Sequence, residues 1–228
     1  AMERLHGGDL DQHLTRHGPL DLEEVVALAR QAGAGLDVAH AAGVVHRDVK
    51  PTNLFLAEGP GTAVWKVLDF GVAKMSCTRG SLTENRIVGT PAYMAPEQAS
   101  GEATHRSDLF SLGVICYRAL TGDSPFRGNG FADTIYRLAT SMPARPSSLA
   151  DVPEEIDAVL AIAIAKDPAD RFDSGEELAR ALTQAATGEL SDVLWDRAWK
   201  VMRKHPWGSQ PIPTTAAPDA SELESLSG

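Results

Sequence analysis

The sequence lacks what a secreted, membrane-crossing or nucleic-acid-coating protein needs. It holds two cysteines, Cys77 and Cys116, far apart and in no Cys-x-x-Cys pair. That excludes a disulfide framework and a cysteine-based zinc cluster, and it fits a reducing compartment. No apolar run approaches the roughly 20 residues of a membrane-crossing helix. Residues 159–165 and 109–120 come nearest, and they are too short or carry an arginine. Ala1-Met2-Glu3-Arg4-Leu5 has no basic stretch followed by an apolar one, so no secretion signal is read there. The expectation is a cytoplasmic chain with no membrane segment of its own. Basic residues are also in short supply: 21 Lys and Arg against 31 Asp and Glu, a net charge of −10. Nucleic acid and anionic membrane surfaces favour clustered cations, so neither is an expected partner. Single phosphate groups held by a few local cations stay compatible with that balance.

What is present is an ordinary globular composition, 43% hydrophobic over 228 residues, enough for one domain and a tail. Residues 7–10 read as a turn opening a short helix to about residue 16. After Asp21, the residues Leu22, Val25, Val26, Leu28, Ala29, Ala32, Leu36 and Ala39 recur at helical spacing, which predicts a long helix ending near Gly43. A loop over 44–53 follows. Two short apolar runs, 54–56 and 64–68, flank the turn Glu58-Gly59-Pro60-Gly61 and predict a hairpin. Residues 69–97 are polar, rich in Gly, Ser and Thr, and aperiodic; so long an irregular stretch in a compact domain is usually functional or disordered. Helical patterning returns over 108–120, 131–140, 154–165 and 174–186. A last amphipathic segment, 189–204, carries Trp195, Trp199 and Met202 on one stripe, read as packing on the protein's own surface rather than as a partner-binding face. From 206 to 228 the composition turns to Pro, Thr, Ala, Ser and acids, which reads as disordered.

Three segments carry chemistry: His46-Arg47-Asp48-Val49-Lys50-Pro51-Thr52-Asn53, Asp69-Phe70-Gly71, and Gly89-Thr90-Pro91-Ala92-Tyr93-Met94-Ala95-Pro96-Glu97. Each alone is a weak signal. Their order, spacing and context give them force, and here the sequence resembles the protein kinase superfamily, bacterial serine/threonine kinases of the eukaryotic type most of all. The resemblance covers about residues 1–186. It implies an α+β protein kinase-like fold: a mainly helical C-terminal lobe with a small β-hairpin over 1–186, a helical extension over 187–205, and the tail over 206–228.

The resemblance also implies roles. Phosphoryl transfer asks a protein for positioning and charge neutralisation more than for covalent chemistry. Asp48 would accept the proton of a substrate hydroxyl. Lys50 would stand near the transferring phosphoryl, and Thr90 would reinforce that arrangement. Asn53 and Asp69 offer oxygen ligands of the kind Mg²⁺ prefers. Glu3 and Leu5 would offer backbone groups to adenine, and Phe55 would line the floor of its pocket. ATP and Mg²⁺ are thus the implied cosubstrate and metal, and proteins bearing Ser or Thr the implied substrates. Arg47 would pair with a phosphorylated residue of the 69–97 loop, Thr83 before Ser76, Thr78 and Ser81, which makes autophosphorylation an expectation. His46 and Phe70 read as packing residues, and Cys77 as incidental. Asp108 would hold the catalytic loop's backbone and Arg171 would pair with Glu97, both architectural.

No Gly-x-Gly-x-x-Gly occurs in the chain, and the resemblance begins at a hinge-like segment around 2–5. The expectation is a lobe without its N-terminal partner: a piece of an active kinase with little turnover alone. The alternatives are a natural half-kinase acting as a non-catalytic binding or scaffold module, or a degenerate relative with other chemistry.

Overall fold

Asp21 starts the long helix as its spacing predicts. Its carboxylate accepts from the Glu24 amide at 2.8 Å, and the Asp21 amide donates back to Glu24 at 3.0 Å. That reciprocal cap satisfies donors which a first helical turn otherwise leaves without partners. The helix, Leu22–Ala41, is the second of seven in a computed structural model that describes residues 5–59, 61–70 and 91–209. We label the helices α1 (Leu10–His17), α2 (Leu22–Ala41), α3 (His105–Thr121), α4 (Phe131–Thr140), α5 (Glu154–Ala163), α6 (Gly175–Ala186) and α7 (Asp192–Lys204). Asp9 caps α1, Ser174 caps α6 and Ser191 caps α7, each accepting from an amide of the first turn.

Helix α3 is buried over nearly its whole length, the mark of a helix that other helices surround. It packs on α2 and α5, α2 packs on α6, and α5 packs on α6 and α7. The α2–α6 crossing is backbone against backbone. A Cβ on Gly175 would stand 2.4 Å from the Gly33 Cα, so neither position admits a larger residue without the helices separating. Along α7 the stripe divides: Trp195 and Met202 pack against the core, and Trp199 is exposed.

The predicted hairpin forms from β2 (Leu54–Ala57) and β3 (Val64–Val67), but it gains a strand, β1 (Gly7–Asp9). The sheet is antiparallel in the order β1-β2-β3, with Gly8 opposite Leu56 and Leu56 opposite Trp65. Residues 7–10 are therefore a strand leading into α1 rather than a bare turn. Gly7 sits at φ +131°, and a Cβ there would fall 1.9 Å from the Leu56 carbonyl oxygen. Glycine is what lets this edge come so close. The Trp65 amide donates to the Gln31 side chain at 2.7 Å, which seats the sheet on α2.

The helix predicted over 154–165 ends at Ala163, and the one predicted over 108–120 begins three residues earlier, at His105. Residues 206–209, read from composition as the start of the irregular tail, form a turn held to the body. The Gly208 amide donates to the Pro143 carbonyl at 2.6 Å, and the Trp207 ring stacks 6.5 Å from that of Tyr117.

Candidate active site

The loop after α2 is held in shape by one carboxylate. Asp108, in the first turn of α3, is 1% exposed. Its Oδ2 accepts from the His46 amide at 2.8 Å and from His40 Nε2 at 2.8 Å, and its Oδ1 accepts from the Arg47 amide at 2.8 Å. Arg47 sits at φ +65°, in the left-handed region that costs a residue with a side chain about 1–3 kcal/mol when the surroundings impose it. The two amide bonds from Asp108, on either side of that turn, are what impose it here.

His46 is fully buried. Its Nε2 donates to the Leu68 carbonyl at 2.9 Å, and its Nδ1 accepts from the Asp48 amide at 3.2 Å. A carbonyl only accepts and an amide only donates, so both ring nitrogens are committed. The ring also packs 4.8 Å from the Phe70 ring. Both residues are spent on architecture, as the sequence reading held.

Past His46 part-exposed and buried residues alternate, with Val49, between Asp48 and Lys50, at 3% exposure. The Lys50 ammonium lies 2.9 Å from Asp48 Oδ2, the two side chains 27% and 24% exposed. Asn53, 8% exposed, donates from Nδ2 to the Asp48 carbonyl at 2.8 Å and lies 3.5 Å from Asp48 Oδ2. With the nitrogen so placed, the Asn53 amide oxygen faces away from the Asp48 carbonyl. Asp48, Lys50 and Asn53 are thus brought together by direct contacts. Asp69 follows a residue that is tied to this loop through its backbone. The Leu68 amide donates to the Asn53 carbonyl at 2.8 Å while the Leu68 carbonyl accepts from His46, so both sides of Leu68 are tied to the loop. Asp69 follows at φ +53°, a conformation that aspartate tolerates better than most residues, with its side chain exposed. Asn53 and Asp69 present an amide oxygen and a carboxylate. Such a hard donor pair fits a divalent cation that keeps waters and phosphate oxygens as its other ligands. Among the described residues, no group of three or more His, Cys, Asp or Glu is gathered as a metal cage.

Phe55 is half-buried in β2, opposite Asp9 and Lys66. Leu5 precedes β1, where the Glu58 amide donates to the His6 carbonyl at 2.8 Å. Glu3, Thr90, Thr83, Ser76, Thr78, Ser81 and Cys77 lie outside the described residues. The Arg47 side chain is exposed, and its carbonyl accepts from Gln98 Nε2 at 3.2 Å, which ties the third motif to the loop.

Arg171 and Glu97 form the fork expected of them. Nη1 and Nη2 reach the two Glu97 oxygens at 2.6 and 2.9 Å. The remaining donors go to the carbonyls of Ala165, Arg106 and Lys166 at 2.7, 3.2 and 3.0 Å, so a fully buried guanidinium keeps every N–H satisfied. Burial alone would raise the Glu97 pKa. The hydrogen bonds and charge of Arg171, with the Ser107 hydroxyl at 2.7 Å, outweigh burial and hold it below the usual glutamate value.

Several residues of this network carried no sequence signal. His40 reads only as the basic last turn of α2, and Ser107 and Gln98 only as polar residues near helix ends. Their partners lie 68, 10 and 51 positions away.

Comparison with known proteins agrees with this arrangement. The family model described as "Protein kinase domain" matches residues 1–183. The serine/threonine-protein kinase PknE of Mycobacterium tuberculosis is 36% identical over 216 residues, which is 94% of this chain and 37% of PknE; the chain therefore spans little more than a third of that relative's length. The crystal structure of the Mycobacterium tuberculosis PknI kinase domain superposes with a TM-score of 0.63 at 29% identity, covering 81% of this chain and 65% of that one. The structure of Rad53 1-466 in complex with AMP-PNP superposes with a TM-score of 0.63 at 25% identity, over 79% of this chain and 45% of that one.

Proposed function

The chain belongs to the protein kinase family, and from that premise we propose that its site transfers the γ-phosphate of ATP to serine and threonine hydroxyls of proteins. The observation that carries the reading is the convergence of Asp48, Lys50 and Asn53, with Lys50 Nζ and Asn53 Nδ2 both meeting the Asp48 carboxylate at Oδ2. Lys50 and Asn53 together fix where that carboxylate points.

In this reading Asp48 receives the hydrogen bond, and then the proton, of the substrate hydroxyl, and so aims the hydroxyl oxygen at the phosphorus. Lys50 keeps its positive charge within reach of the phosphoryl oxygens as it passes. Asn53 and Asp69 would hold Mg²⁺, which when bound neutralises phosphate charge. Leu5, Glu3 and Phe55 would meet the adenine, and Thr90 would support Lys50 and Asp48. Asp108 takes no part in the transfer; it holds the two amides that shape the loop. The exposed Arg47 is the cation to which a phosphorylated Thr83 would pair, making autophosphorylation a regulatory step. We assign this work to residues 1–186, with α7 as an extension. Among the described residues no helix is long and apolar enough to cross a membrane, and we place the protein's action in the cytoplasm.

The sequence contains no Gly-x-Gly-x-x-Gly to close over phosphates, so the 228 residues by themselves are expected to turn over slowly. The test is phosphate transfer from radiolabelled ATP to a Ser/Thr peptide mixture and to the protein itself, with and without Mg²⁺. Asp48→Asn should lower any transfer by about 10²–10⁴-fold. Transfer unaffected by that change sinks the assignment. Tight Mg²⁺-dependent nucleotide binding with no transfer in any form of the protein favours the non-catalytic module instead.

A further inference from the structure

Ten residues along α3 from Asp108, a second charged cluster sits beside the same site. Arg118 Nη1 lies 2.8 Å from the Asp11 carboxylate of α1 and donates to the Tyr93 hydroxyl at 2.5 Å. Tyr93 is 7% exposed, and its carbonyl accepts from the Ser111 hydroxyl at 2.6 Å, so its ring and hydroxyl are fixed in place. The guanidinium is anchored at one nitrogen only. Nη2 and Nε have no partner among the described residues, and the side chain keeps 21% of its surface. Asp11 is the more exposed partner, at 43%.

The position of this cluster matters. The turn Pro51–Asn53, which begins directly after Lys50, packs against α1, the helix that carries Asp11. Tyr93 belongs to the third motif, and Gln98, the residue directly after that motif, is bonded to the Arg47 carbonyl. The Asp11–Arg118–Tyr93 group is therefore walled by the same two segments that border Asp48. Ten helical residues span about 15 Å, a distance that an extended peptide covers in about five residues.

We propose, resting on the kinase reading above, that Arg118 reads the substrate: it selects peptides carrying an Asp or Glu within about five positions of the phosphorylated Ser or Thr. The open edge of the guanidinium offers two donors to a carboxylate in the fork geometry that arginine favours. Asp11, part-exposed and held at Nη1, occupies the other end of the guanidinium and competes with an incoming acid for its charge rather than for its open edge. Tyr93 keeps the guanidinium in place while the acid binds.

The experiment uses the purified protein with matched peptides that differ only in Glu, Gln or Lys, moved across the five positions on either side of the acceptor. Binding by fluorescence anisotropy and phosphate transfer are read separately. At one or two positions the Glu peptide should bind about tenfold more tightly than its Gln twin at low salt, and the advantage should fade as salt rises. Arg118→Gln should abolish the Glu preference, Arg118→Lys should keep part of it, and Arg118→Glu should turn it toward the Lys peptide. Asp11→Asn, which removes the internal competitor and leaves Arg118 in place, should enlarge it. A cation serving only to pin α1 to α3 would change melting temperature in these variants without moving the Glu-to-Gln ratio, and that result overturns the proposal. Phosphate transfer with no acid preference keeps the kinase reading and removes this inference. An acid preference in binding that vanishes in Arg118→Gln, with no transfer from ATP, does the reverse. Neither preference nor transfer removes both.

Discussion

Asp48 and Asp108 serve one loop and are used in opposite ways. Asp108 is 1% exposed and gives its oxygens to two backbone amides and an imidazole. Asp48 keeps 24% of its side chain exposed, with the Lys50 ammonium and the edge of the Asn53 amide among its contacts. The same carboxylate chemistry is a staple in one place and an exposed acceptor in the other. The difference lies in the surroundings: Asp108 rises from a helix wrapped by others, and Asp48 from a loop where it and Lys50 stay part-exposed. The Arg171–Glu97 pair belongs with Asp108, since all five of its guanidinium N–H groups are engaged. In this molecule, the buried ionic groups Asp108 and Arg171 belong to the frame, and the part-exposed Asp48 belongs to the chemistry.

That contrast can be attacked by exchanging stability against activity. The largest effect is expected at Asp48. Asp48→Asn should cost about 10²–10⁴-fold in phosphate transfer while moving the urea midpoint little, because a part-exposed ion pair contributes at most about 1 kcal/mol. Arg171→Ala should do the opposite. It leaves Glu97 buried without its cation and should destabilise the fold by about 3–5 kcal/mol in chemical denaturation. A midpoint that barely moves would take Arg171 out of the frame. Asp108→Ala strips acceptors from one buried and one part-buried amide and should cost about 2–6 kcal/mol, at about 1–3 kcal/mol for each unsatisfied group. Amide exchange at His46 and Arg47 should speed up in that variant before the rest of the fold responds.

The smallest effect is one of pH. The Lys166 ammonium is buried with no hydrogen-bond partner among the described residues, 4.0 Å over the Phe126 ring. Burial, and then the charge of Arg171, push its pKa down from 10.5 to about 7. Below about pH 7 both folded and unfolded chains hold the proton, and the burial penalty is complete. Between about 7 and 10.5 the unfolded chain binds more protons, so stability climbs as pH rises. Cys116, whose thiol burial pushes up to about 12, works in the other direction above its ordinary value of 9. Melting curves from pH 7 to 8.5 therefore isolate the lysine: the wild type should gain stability across that window and Lys166→Met should not. Parallel curves for the two proteins would contradict the assignment.

The frame and the centre of the site were legible in the sequence for different reasons. Helix starts were legible because capping is local: Asp21 and Glu24 stand three positions apart, and so do Asp9 and the Gln12 amide it accepts from. Asp48, Lys50 and Asn53 were legible because six consecutive residues carry all three. What escaped depends on distant partners. Gly7-Gly8-Asp9 has no strand-like side chains, and its pairing is decided by β2, which begins 45 residues after β1 ends. Asp11, Tyr93 and Arg118 look like unrelated surface residues until three elements meet, and the docked turn at 206–209 is hidden by its tail-like composition. Asp69 falls between the two cases. Its motif is readable, but the tie between its segment and the loop rests on the two hydrogen bonds of Leu68, an apolar residue that nothing in the sequence marks.

The central claim, that the loop and the residue after Leu68 share one metal–phosphate site, can be tested without any turnover. Mn²⁺·ADP added to isotope-labelled protein should broaden the amide signals of Lys50, Asn53 and Asp69 together, leave those of Ala185 and Ala198 sharp, and lose its effect in Asp69→Asn and Asn53→Ala. Broadening confined to one of the three, or equal broadening in the variants, would contradict it.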